Sequence, residues 1–210
     1  MAVPRADIPF LQGKCVPDHV TAQLFPHLRI VMGMVVGLAM SKLLVGFAEL
    51  MQHPGRYRLS AVHLLWAGSM LVELVLFWWW EFQLSQVPRW NFATFAFLIG
   101  YTITLFLMAA LLFPEDIDEY GGYEAYLIRR RYWFFGLLAL TFVLDIVDTL
   151  IKGQAHWSAL SADYLVQVPM GFVLCVIACL SVRARVHLFV VGTHIAYQAY
   201  WVVRIVAVTE

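Results

Sequence analysis

The chain has 210 residues, of which 62% are hydrophobic and 13% are charged, and its formal net charge is zero. Its mean hydropathy is +0.76, whereas about a quarter of the residues of an ordinary soluble domain are charged. These values exclude a soluble domain and give no reason to expect nucleic acid as a partner. They predict an integral membrane protein whose main partner is the lipid bilayer.

The first 28 residues contain charged residues and prolines but no apolar run. This composition argues against a cleaved signal peptide. We therefore predict an extracytoplasmic N-terminal tail over residues 1–28 and a single transmembrane domain over residues 29–210.

A transmembrane helix needs about 20 mainly apolar residues. The segments that meet this requirement are 29–51, 59–84, 91–113, 131–152, 163–182 and 186–207. Short breaks rich in proline, glycine or charge separate them, and only the break after the third segment is long. The sequence therefore predicts an all-α, polytopic transmembrane helical bundle of about six helices.

The arginines predict how this bundle is oriented. The breaks after the first, third and fifth segments contain Arg56, Arg58, Arg129, Arg130, Arg131, Arg183 and Arg185. By the positive-inside rule these breaks face the cytoplasm, which places both termini outside. The pattern, with the run Trp78-Trp79-Trp80, resembles bacterial inner-membrane proteins with tryptophan-rich second helices. This resemblance implies a location in the inner membrane.

The long break, near residues 114–131, is the largest predicted cytoplasmic piece. Tyr123, Tyr126 and Leu127 have the i, i+3, i+4 spacing of one helix face. We predict a short interfacial helix whose apolar face lies on the lipid headgroups.

Charged residues interrupt several of the predicted spans. Lys42 lies within the first one, where a lone lysine costs about 2.5–3.5 kcal/mol and should face a protein interior and a partner. At 1.5 Å per residue, Lys42 is about 15 Å from the cytoplasmic end, and Glu73 and Asp145 are about 21 Å from it. We therefore predict that Lys42 meets Glu73 or Asp145. By the same count, Asp148 is level with Arg204 and forms a second candidate pair.

The acids at these depths outnumber the bases, and an unpaired buried carboxylate should take up a proton or hold a cation. The leading hypothesis is therefore conduction or transport of a small cation or proton through a buried charge network. Its predicted members are Lys42, Glu73, Asp145, Asp148, His194 and Arg204. Asp145, Asp148 and Lys152 are spaced i, i+3 and i+7, so they share one face of the fourth helix.

Enzymatic chemistry has less support. The sequence contains no phosphate-binding glycine loop, nucleophile elbow or His-Glu-x-x-His zinc motif, so we expect no catalytic residues, no metal site and no cofactor. Two alternatives remain open. One is a membrane electron carrier in which His63 and His194 are the axial ligands of a b-type haem. The other is a non-catalytic subunit in which buried ion pairs fix helix register.

The length of the chain bears on whether it forms an oligomer. A chain of 210 residues can enclose a narrow polar site but leaves little room for a wide pore within one protomer. Assembly into a homo-oligomer is therefore compatible with both the transport hypothesis and the structural-subunit hypothesis.

Overall fold

A computed structural model describes residues 18–53, 59–87 and 90–209. These residues form an all-α fold. In the described ranges the α-helices are α1 (Asp18–Gln52), α2 (Ala61–Trp80), α3 (Phe92–Leu112), α4 (Tyr123–Arg129), α5 (Arg131–Lys152), α6 (Gln154–Leu180) and α7 (Ala184–Thr209), and 3₁₀ helices cover Glu81–Gln86 and Asp118–Tyr120. Arg56, Arg58 and the first part of the predicted tail lie outside the described residues.

Five helical segments of the described chain are long and apolar enough to cross a membrane. They are Phe25–Gln52, Ala61–Ser85, Phe92–Leu112, Arg131–Lys152 and Gln154–Leu180. The chain thus has the helices of an integral membrane protein. The predicted span 186–207 is helical within α7, but its crossing of the membrane stays a prediction, and so does the orientation of the termini.

Helix α1 begins earlier than the apolar pattern indicates. The sequence predicts a span from residue 29, but the helix starts at Asp18 and contains Pro26. Hydropathy marks only the apolar part of a helix, whereas backbone hydrogen bonding continues into a polar extension. The predicted tail over 1–28 therefore includes the first turns of α1.

The helices pack around a core centred on α2, α3 and α5. Helix α1 packs mainly on α3, α7 mainly on α2, and α6 mainly on α5. The largest fully buried side chains include Trp66, Leu74, Leu105, Phe134 and Phe135. Helix α6 packs on α5 and α7 packs on α2, so a space between these two helix pairs can hold an internal site.

The short helix after α3 differs from the prediction in what covers its apolar face. A short helix does form, as α4, but Tyr123, Tyr126 and Leu127 are buried against the rest of the protein. The Tyr123 ring stacks on the His63 ring at a centroid distance of 4.3 Å. The spacing of apolar residues shows that one face is covered, but it does not show whether lipid or protein covers it.

Gly46 of α1 lies against α3 with no room for a side chain. A methyl group there would be 2.3 Å from the ring of Phe113. We expect Gly46→Ala to lower the free energy of unfolding by about 1–3 kcal/mol, because the ring would have to move within a packed core. Unfolding in mixed detergent micelles, followed by circular dichroism, would measure this change.

Gly37 on the same helix provides the matched control. A methyl group at Gly37 has no neighbour within 4 Å, and alanine is favoured over glycine within a helix by about 1 kcal/mol. Gly37→Ala should therefore be neutral or stabilising. Equal losses of stability in the two variants would contradict the close packing of α1 on α3.

Candidate functional site

A cavity of about 100 Å³ lies between α2, α5, α6 and α7, with Tyr101 of α3 on its wall. We call it the polar cavity. Its lining includes the carboxylates Glu73, Glu81, Asp145 and Asp148, the cation Lys152, and the imidazoles His156 and His194. The volume is enough for several water molecules. The structure therefore brings four residues of the predicted charge network, namely Glu73, Asp145, Asp148 and His194, to one place.

The face of α5 predicted from the sequence lines this cavity. Asp145, Asp148 and Lys152 all contribute to the wall. Lys152 Nζ donates a hydrogen bond to Asp148 Oδ2 on the same helix and another to Glu81 Oε1 at 3.1 Å. Both carboxylates and the lysine are almost completely buried. These three side chains form a buried triad that ties the end of α2 to the end of α5.

A second polar link joins α2 to α7. The amide of Gln198 donates to Glu73 Oε2 at 2.7 Å and to the Ser69 carbonyl at 3.1 Å. The Ser69 hydroxyl donates to Gln198 Oε1 at 2.9 Å, so the amide is bonded at both ends. His194 Nε2 is 4.0 Å from Glu73 Oε2. Glu73 is therefore held at the cavity wall by α7 rather than by a lysine of α1.

The prediction that Lys42 pairs with Glu73 or Asp145 was wrong. In the described part of the chain no ion pair joins Lys42 to Glu73 or Asp145, and Lys42 is not among the residues that line the polar cavity. Equal depth along two helices is not enough for contact, because the rotation of each helix decides which residues face each other. The cation of the cavity is Lys152.

The prediction that Arg204 pairs with Asp148 was also wrong. Arg204 Nη1 donates to Asp163 Oδ2 at 2.8 Å, on a part of α6 and α7 where the arginine side chain is 41% exposed. Asp148 is paired with Lys152 instead. Arg204 lies outside the lining of the polar cavity, so it belongs to a separate surface contact between α6 and α7.

Sequence reasoning missed Glu81. Its position after the tryptophan run, at the end of a predicted span, suggested no buried partner, yet the residue is buried in the 3₁₀ helix that follows α2. A signal was present, because Glu81 lies eight residues beyond Glu73, and an i, i+8 spacing falls within one broad helix face. Both residues line the polar cavity.

Aromatic rings surround the polar groups. The rings of Trp80 and Trp201 meet edge to face at a centroid distance of 5.4 Å, and Trp80 also approaches His156 at 6.3 Å. Towards the start of α2, the ring of Trp66 lies 5.3 Å from His194 and 5.0 Å from Phe134. Trp80 and Trp201 thus line the cavity, whereas Trp66 lies outside its lining and contacts the lining residue His194.

The two histidines of the haem alternative lie in different surroundings. His63 Nε2 donates to the Leu112 carbonyl at 2.7 Å, and its ring is covered by Tyr123 and Phe113. His194 lines the polar cavity, but His63 does not. The Nε2 atom of His63 is thus engaged by a backbone carbonyl, and haem binding by the two histidines stays a prediction.

A metal site would need several ligating side chains close together among the described residues. Among them, no group of three or more His, Cys, Asp or Glu side chains is placed to hold a metal ion. Of the cavity carboxylates, Glu81 and Asp148 accept hydrogen bonds from Lys152, and Glu73 accepts one from Gln198.

The fold and the cavity together define the class of this protein. The described residues include five helices suited to spanning a membrane, and four of these helices together with α7 line an acid-rich cavity. No known protein family, curated protein or solved structure matches the chain.

Proposed function

We propose that this protein is a polytopic inner-membrane protein that transports or conducts a small cation or proton through the polar cavity. The proposal includes α7 as a sixth transmembrane helix. The observation that carries it is the charge of the cavity lining, in which four carboxylates face one lysine among the described residues.

The charge imbalance gives the cavity its chemistry. Lys152 offsets one negative charge of the Glu81 and Asp148 pair, and Glu73 and Asp145 have no lysine or arginine partner in the described chain. Charged groups at membrane depth are costly unless they are neutralised or paired. Each remaining carboxylate therefore favours a bound proton or cation, and several such groups around one cavity allow successive transfers.

His194 adds a group suited to proton transfer. Its Nε2 atom lies 4.0 Å from Glu73 Oε2. A small rotation of either side chain, or a water molecule between them, would connect the two groups by hydrogen bonds. Imidazole changes charge near neutral pH, which is why histidine is common in proton relays. Glu73 and His194 would then pass a proton along the wall between α2 and α7.

Flux through proteoliposomes tests the proposal. Wild-type protein should support proton or cation flux above that of protein-free liposomes, measured with an internal pH dye or as the decay of an imposed cation gradient. Asp145→Asn and Glu73→Gln should return the flux to the protein-free level, because each removes one negative charge from the cavity.

Matched controls replace acids outside the cavity. Glu49→Gln changes an exposed acid of α1, and Asp163→Asn changes the surface partner of Arg204; both should keep the wild-type flux. Flux that is unchanged by Asp145→Asn and Glu73→Gln would refute the role of the cavity. A folded protein with no flux of either kind would favour the non-catalytic structural subunit.

A further inference from the structure

Two carboxylate oxygens in the polar cavity have no hydrogen-bond partner in the described chain. They are Glu81 Oε2 and Asp148 Oδ1. Their residues are only 6% and 3% exposed, and Lys152 contacts the other oxygen of each carboxylate. Buried carboxylate oxygens of this kind normally accept hydrogen bonds. The cavity therefore presents acceptors that call for a ligand with N–H or O–H donors.

The charge of the lining selects a positive ligand. Asp145 adds a further carboxylate with no ion-pair partner among the described residues, whereas an anion would meet four acids. Water alone could donate hydrogen bonds to the free oxygens, but it would leave the excess negative charge in place. A cation with donors satisfies both requirements.

The walls of the cavity suit an organic cation. Besides the acids, the lining contains the aromatic rings of Phe77, Trp80, Tyr101, Phe142, Tyr164, Tyr197 and Trp201. The faces of aromatic rings attract ammonium groups and also pack against alkyl carbon. An inorganic cation would also be attracted to the ring faces, but it has no alkyl carbon to pack against them. The volume of about 100 Å³ limits the ligand to a few heavy atoms.

We propose that the polar cavity binds a small primary ammonium ion as the transported cation. Its N–H groups donate to the free oxygens of Glu81 and Asp148, Asp145 supplies the balancing charge, and the alkyl group packs against the aromatic walls. This assignment rests on the proposed transport function and names the substrate class of the same cavity. A quaternary ammonium has no N–H donor, so it satisfies neither oxygen.

Isothermal titration calorimetry of the purified protein in detergent tests the assignment with methylammonium chloride at constant ionic strength. Wild-type protein should show saturable binding, and tetramethylammonium and potassium should bind about tenfold more weakly or worse. Equal binding of all three cations, or no saturable binding of methylammonium, would overturn the assignment.

Variants place the binding in the polar cavity. Asp145→Asn should raise the Kd for methylammonium by about tenfold or more, whereas Asp163→Asn should leave it unchanged. An unchanged Kd in folded Asp145→Asn would overturn the proposed position. If Asp145→Asn does not fold, the comparison of the three cations on wild-type protein still decides the ligand class.

The calorimetry also separates the two proposals. Proton or cation flux that depends on Asp145, together with no methylammonium binding, would refute the ammonium assignment and leave the transport function intact. Methylammonium binding without any flux would identify a binding site and refute transport. Uptake of methylammonium by proteoliposomes that depends on Asp145 is the result expected if both are correct.

Discussion

Replacing Lys152 with methionine should lower the free energy of unfolding by about 3–5 kcal/mol, because the change leaves buried carboxylates without their cation. Lys152 Nζ donates to both Glu81 and Asp148, and all three side chains are almost fully buried. Unfolding in mixed detergent micelles, followed by circular dichroism, would measure the loss. The effect should be among the largest of any single substitution in the chain.

Arg204→Met is the matched control for this prediction. It also removes a cation from an ion pair, but its partner Asp163 and the arginine itself are partly exposed. Exposed pairs contribute about 0–1 kcal/mol, so stability should change little. Similar losses in Lys152→Met and Arg204→Met would contradict the burial of the triad.

A triple variant tests whether the loss of stability in Lys152→Met comes from the uncompensated charge of the buried carboxylates. When Lys152→Met is combined with Glu81→Leu and Asp148→Leu, no member of the triad remains charged. Replacing a whole buried ion cluster by apolar residues is often neutral or stabilising, so the triple variant should recover most of the stability lost in Lys152→Met. No recovery would show that the loss comes from packing of the lysine stem.

Trp66→Ala should lower the free energy of unfolding by about 3 kcal/mol or more, because it leaves a void in the packed core. The Trp66 ring meets Phe134, Phe135 and His194 at centroid distances of 5.0, 5.5 and 5.3 Å. Lipid is as apolar as the protein core, so within a membrane the loss comes from these packing contacts rather than from exposure to water. Unfolding in mixed micelles measures this effect as well.

Trp133→Ala provides the comparison for this tryptophan. Trp133 is 67% exposed, so its removal leaves no internal void, and the expected change is within about 0.5 kcal/mol. If Trp133→Ala lowered the free energy of unfolding as much as Trp66→Ala does, contacts at the surface of the bundle would be as stabilising as those in the core. That result would contradict the role of Trp66 in the core.

The sequence by itself determined the apolar part of the long helices, although not where each helix begins. Long apolar runs admit only one backbone arrangement within a bilayer, since every N–H and C=O group must be bonded inside the segment. Charged residues stand out within these apolar runs. Glu73, Asp145 and Asp148 were predicted as site residues because a charged side chain within a transmembrane helix is costly unless it is paired or functional. The spacing of Asp145, Asp148 and Lys152 on one helix also placed them on one face, since it depends only on helical geometry.

Only the tertiary structure decided which charges meet. Counting residues gives the depth of Lys42 and Arg204 but not the rotation or the neighbours of their helices. The structure pairs Lys152 with Glu81 and Asp148, and Arg204 with Asp163. The apolar face of α4 was likewise visible in the sequence, but its burial against the protein was not. Helix periodicity is a local property, whereas the choice of partner depends on how distant segments pack, and that information is spread over the whole chain.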